Sequence, residues 1–361
     1  MVIFAGCKQP SEANGCVIWK RSHIETTTRQ MEKSAAPPRR NPSIYILKFL
    51  AVMLITWSHM DPLVPVKGIC TGGAIGDSLF LFCSGFTLFM GRGGDFFNWY
   101  KRRINRIYPS ILSWAIVSCI LFGNERNIID IILYGGGAFI TAIMVYYVGL
   151  YLLRRLHALR RGQMWLSLAI GLYIIILLGY FLSHDISSSV FIFKTSQMFC
   201  LVNYFLCMVL GALVGLWSDR LPQARPGVSL AGVFVSAALF FGFQALCGRY
   251  PALIPWQILL VMPLWSLTYF IFRLCSTPGV LRIYEIPAVR RPVYWISCIC
   301  LEVYLVQFMF FREEYSGYFP LNVIIVFIAI FLLAYVVKVI GNLISQIFKE
   351  EDFNWKAALT L

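Results

Sequence analysis

Ten times along this sequence a mostly apolar run of bilayer-crossing length is followed by a short polar connection. The runs are Ile44–Met60, Ile69–Met90, Ile107–Phe122, Ile131–Leu153, Met164–Leu182, Gln197–Trp217, Val228–Cys247, Leu253–Phe272, Val293–Phe311 and Leu321–Phe348. Lipid offers the backbone no hydrogen-bond partners, so runs of this length fold as helices. The expected architecture is an all-α polytopic bundle of about ten transmembrane helices. Composition agrees: charged residues are 13% of the chain, against roughly a quarter in soluble domains. The fourth run contains Gly135-Gly136-Gly137 and is expected to be broken there or to begin with an interfacial piece.

The formal charge of +14 fits either a nucleic-acid binder or a membrane protein with basic loops on one side. Position decides between them. Segments on the side of the N-terminus hold 24 of the Lys and Arg residues, and the alternate loops hold 5. That alternation places both termini in the cytoplasm and excludes a nucleic-acid partner. Residues 1–43, with Pro37-Pro38-Arg39-Arg40, read as a disordered cytoplasmic tail in which Met31 is an alternative start. Residues 44–348 form the membrane domain, and 349–361 a cytoplasmic C-terminal tail. The 11 cysteines show no paired ligand spacing, so neither a metal site nor a disulfide framework is expected.

Ionisable groups inside the runs need an explanation, because lipid penalises each by a few kcal/mol. Five occur: Lys48, His59, Asp77, Glu302 and Lys338. Lys338 lies where it can snorkel toward the cytoplasm. Lys48 and His59 are three helical turns apart, so one face carries a cation near the cytoplasm and an imidazole about 16 Å away. Imidazole is the natural general base near neutral pH, yet a buried histidine also serves as a plain interhelical hydrogen-bond donor. Asp77 and Glu302 are the carboxylates available to orient it; either also works as a polar clamp between helices.

A second constellation is Trp99-Tyr100-Lys101-Arg102-Arg103-Ile104-Asn105-Arg106-Ile107-Tyr108-Pro109, leading into the third run. Arg103 and Arg106 share a helical face. Arginine forks suit phosphate; lipid headgroups and topology are the other uses of such a cluster.

Together these residues resemble the acyltransferase-3 family of integral-membrane acyltransferases. Lys48 and His59 match its basic residue, ten residues, then His on the first span. Gly73-Ala-Ile-Gly76-Asp77 through Ser84-Gly85-Phe86 matches its glycine-containing second span, and Arg103-Ile-Asn-Arg106-Ile107-Tyr108-Pro109 its Arg-x-x-Arg-Ile-x-Pro signature. Ser297 through Leu301-Glu302-Val-Tyr304-Leu305-Val306-Gln307 is similar to a late segment ending in His. Here Gln307 replaces that His, and Lys48 the commoner Arg.

The resemblance covers about residues 44–346 and implies transfer of an acyl group, acetyl first and succinyl second, from cytoplasmic acyl-CoA. The implied acceptor is a hydroxyl of a cell-envelope or exopolysaccharide sugar or its lipid-linked precursor, at a bacterial inner membrane. Lys48, Arg102, Arg103 and Arg106 would hold the CoA phosphates, and His59 would act with Asp77 or Glu302. Ser84 would line the pore or pack helices. No permanently bound cofactor is expected. Some relatives carry a fused esterase-like domain, and none is expected here. A glycan or solute exporter and a non-catalytic assembly subunit are the rival readings. The cytoplasmic arginine pair and the lack of an internal repeat argue against the exporter, and His59 against the subunit.

Overall fold

The computed structural model describes residues 41–66, 68–91, 93–123, 130–131, 135–183, 192–195, 197–347 and 353–359. Of the expected tails 1–43 and 349–361, residues 1–40, 349–352 and 360–361 lie outside these residues. All elements described are helical. We number the principal ones α1 (Pro42–Ser58), α2 (Gly73–Phe89), α3 (Phe96–Phe122), α4 (Gly137–His157), α5 (Gly162–Ser183) and α6 (Gln197–Leu216). They continue as α7 (Pro226–Arg249), α8 (Val261–Cys275), α9 (Pro287–Cys298), α10 (Cys300–Val306) and α11 (Leu321–Ile347), with short helical turns between.

Among the described residues seven helices are long and apolar enough to cross a bilayer alone, one of them α8 together with the 3-10 segment before it. The pair α9 and α10 with the 3-10 turn after it, bent by 61° near Ile299, is long and apolar enough to make an eighth crossing when counted as one span. The first two expected spans differ from the rest. α1 and α2 have 17 residues each, about 25 Å of helix against a hydrocarbon core of about 30 Å. Their length is tolerable because they face protein: α1 packs on α2, α8, α9 and α10, while α2 packs on α1, α4, α6 and α8.

Two sequence boundaries shift for identifiable reasons. α3 begins at Phe96, so the basic cluster is its first turns and not a loop. Asp95 caps it, accepting the Asn98 backbone N–H at 3.0 Å, and Lys and Arg propagate helix well. α4 begins only at Gly137, whose positive φ of 72° breaks the expected fourth run inside the glycine triplet.

Backbone contact holds the centre together. A Cβ on Gly85 would sit 1.8 Å from the Met208 carbonyl oxygen, and one on Gly211 would sit 2.0 Å from that of Phe82. Two reciprocal glycines thus bring α2 and α6 into direct contact, as small residues do between helices in lipid. Ser84-Gly85 therefore does serve packing, through the glycine. α6 is the most enclosed span, whereas α5 and α7 expose most of their apolar surface, as lipid-facing helices must.

Candidate functional site

Lys48 on α1, Arg103 and Arg106 on α3 and Lys338 on α11 converge on one cavity of about 100 Å³. Ser84 of α2, Tyr147 of α4 and Glu302 of α10 are among its other polar lining residues. Each side chain arrives there for a local reason. Arg103 and Arg106 are separated by three residues in a capped helix, so they point the same way. Lys48 follows Leu47, which is fully buried, and the next position around the helix faces the cavity. The bend after α9 turns the start of α10 inward, carrying Glu302 with it. Four cations face one carboxylate.

Glu302 is 1% exposed. Its Oε1 accepts from Lys338 Nζ at 3.1 Å and from Ser110 Oγ at 2.5 Å. Arg103 lies over the Trp99 ring, 4.5 Å from its centroid, and its Nε has no hydrogen-bond partner. A buried N–H on a cation without an acceptor is a standing demand for an anion.

A second void of about 20 Å³ adjoins the first, sharing Phe80, Ile140, Cys300 and Leu301 in its walls. It is otherwise apolar apart from Thr56, Tyr304 and Gln307. Gln307 in turn precedes Phe308, whose ring meets the His59 imidazole edge-on at 4.8 Å. Phe311 stacks on the same imidazole at 6.2 Å. His59 itself is exposed, one residue beyond the end of α1. The order along the bundle is therefore basic cavity, narrow void, then histidine at the opposite end.

A family model for an acyltransferase domain, type 3, matches residues 41–342, a stretch containing every residue of both cavities. This chain belongs to the acyltransferase-3 family. No curated protein and no solved structure matches it. As an acyltransferase-3 protein with several bilayer-length apolar helices, it is an integral membrane acyltransferase.

Within that acyltransferase-3 frame the expected site residues fall into three places. Lys48, Arg103, Arg106 and Ser84 come together in the basic cavity. Ser84 donates to the Phe80 carbonyl at 3.2 Å and lines the cavity together with Tyr147. Arg102, expected beside them, points away from the cavity: it is exposed and donates to the Gly93 carbonyl at 2.8 Å. It sits on the outer face because one residue along a helix is a 100° rotation.

Glu302, read from the chain either as a partner of His59 or as a polar clamp between helices, bonds Lys338 and Ser110 in the basic cavity. Asp77 is bonded to Tyr204 of α6 and faces that helix, because its neighbour Gly76 takes the side packed on α1. Lys338 departs from expectation: it does not snorkel outward but turns in to Glu302.

Other residues at this site carried no distinctive sequence signal. Arg154, at the end of α4, is one of the basic residues counted on the side of the N-terminus. Its Nη1 is buried without a hydrogen-bond partner, and its Nη2 lies 3.1 Å from where a Gly93 Cβ would be. Among the described residues no three His, Cys, Asp or Glu side chains are grouped as metal ligands.

Proposed function

We propose that this protein moves an acyl group, acetyl first and succinyl second, from cytoplasmic acyl-CoA to a hydroxyl of an envelope or exopolysaccharide sugar or its lipid-linked precursor. The basic cavity carries the reading. Lys48, Arg103, Arg106 and Lys338 face one carboxylate there, and CoA is the polyanionic acyl donor such a surplus suits. The alternation of basic loops supports a cytoplasmic position for this end and for both termini, and the family membership supports a bacterial inner membrane as its setting.

Arg103, Arg106 and Lys48 neutralise the phosphates, with Arg154 adding a guanidinium nearby. Glu302 holds Lys338 in place and keeps the cation surplus from self-repulsion. The pantetheine arm runs from this mouth along the Ser84 and Tyr147 side toward the second void and His59, about 16 Å further along α1. The acceptor approaches from the opposite end, where His59 is exposed. His59 takes the proton of the acceptor hydroxyl as its oxygen attacks the thioester carbonyl. The C–S bond breaks, the thiolate takes the proton from the imidazolium, and an ester and free CoA leave.

Purified protein in detergent tests this. His59→Ala is expected to reduce acyl transfer by at least about 10²-fold while CoA still binds. Arg106→Ala is expected to weaken CoA binding first. Undiminished turnover by the His59 variant would remove the proposal.

A further inference from the structure

The second void presents a mismatch between its size, its walls and its polar atoms. Gln307 and Thr56 are both 0% exposed and both line it. Gln307 Nε2, Gln307 Oε1 and Thr56 Oγ1 have no hydrogen-bond partner. Leaving such groups unmade costs about 1–3 kcal/mol each, and three in one place ask for a ligand. A primary amide with both ends free offers one donor and one acceptor on the same edge. A trans amide points its carbonyl and its N–H in opposite directions, so Gln307 engages it at one end, Nε2 donating to the carbonyl or Oε1 accepting the N–H. Thr56 adds a hydroxyl able to work either way. At about 20 Å³ the void holds one water as it stands, so a larger occupant replaces that water and widens the walls.

We propose that Gln307, assisted by Thr56, is the station that reads the terminal amide of the pantetheine arm and so sets the thioester in register with His59. The inference rests on the acyl-CoA reading above and adds a residue role to it. Position supports it. The void shares four wall residues with the basic cavity, and Gln307 is followed by the Phe308 ring that touches His59. An arm anchored by phosphates at the mouth passes Gln307 before it reaches the imidazole.

The test is a binding comparison on full-length protein in detergent, using acetyl-CoA and adenosine 3′,5′-bisphosphate, the nucleotide end without the arm. Gln307→Met keeps the volume and removes both polar atoms. It is expected to weaken acetyl-CoA binding about 10-fold and leave the bisphosphate unchanged. Thr56→Val shifts acetyl-CoA in the same direction by less. Without ligand, the thermal midpoint of the Gln307 variant holds or rises, because an unsatisfied buried amide has been replaced by an apolar isostere. A purely structural glutamine would instead lower it. Equal acetyl-CoA affinity in wild type and Gln307→Met overturns the inference and leaves the acyl-CoA reading standing. Wild-type protein that binds neither ligand overturns both.

Discussion

Lys338 shows how much one residue's meaning depends on its neighbours. Alone in an apolar helix it reads as a snorkelling cation; folded, it is bonded to Glu302 at 3.1 Å, with 22% of its side chain exposed and 1% of that of Glu302. A half-dismantled pair of this kind leaves a buried carboxylate without its direct ion-pair partner, held only by the Ser110 hydroxyl. Lys338→Met is therefore expected to destabilise the protein by about 2–3 kcal/mol, the lower side of the buried-pair range because the lysine keeps some water. Adding Glu302→Gln should restore most of it. Thermal unfolding of both single variants and the double in detergent measures the coupling, and additive losses would show the pair to be independent. The same residue scale explains why Gln307 was visible only as a departure from a motif. Its type was plain in the chain, but its two unsatisfied atoms exist only where the void surrounds them.

At the scale of elements, the hydrophobic runs located every principal membrane helix, because bilayer thickness and backbone satisfaction leave few alternatives. What they could not resolve was which helices meet. α1 and α2 look like ordinary spans, yet both are 17-residue helices surrounded by protein. α2 and α6 touch through Gly85 and Gly211, 126 positions apart in the chain numbering, and hydropathy carries no sign of that pairing. Gly211→Ala puts a methyl 2.0 Å from the Phe82 carbonyl oxygen. Since backbone cannot step aside as a side chain does, a loss near or above about 3 kcal/mol is expected. Gly242→Ala on α7, where a Cβ meets nothing within 4 Å, is the control and should be neutral or better. Thermal midpoints of the two variants in one detergent distinguish a specific contact from general sensitivity.

For the molecule as a whole, charge is segregated in two ways. Most basic residues mark one side of the membrane, and a smaller group, Lys48, Arg103, Arg106 and Lys338, is turned into a cavity. These two uses respond differently to salt. Acetyl-CoA binding is expected to weaken as ionic strength rises from about 50 to about 500 mM, since screening shortens the reach of the cavity's surplus charge. Arg106→Ala should flatten that slope, whereas His59→Ala, at the opposite end, should keep the wild-type slope. Titration calorimetry across the salt series is the measurement, and identical slopes in all three proteins would remove the cavity from phosphate binding.

The chain by itself determined the all-α membrane architecture, the alternation of basic loops and the residues Lys48, His59, Arg103 and Arg106. Each of these follows from local or periodic properties: length of an apolar run, sign of a loop, residues sharing one helical face. Tertiary structure alone decided that Glu302 belongs to Lys338 and Ser110, that Asp77 belongs to Tyr204, and that Arg154 joins the basic end. It also isolated Gln307 and Thr56 in a narrow, mostly apolar void. Those facts depend on which helices lie side by side and at what rotation. A 100° turn per residue separates Arg103 in the cavity from Arg102 on the surface, and hydropathy does not record the rotation of one helix against its neighbour.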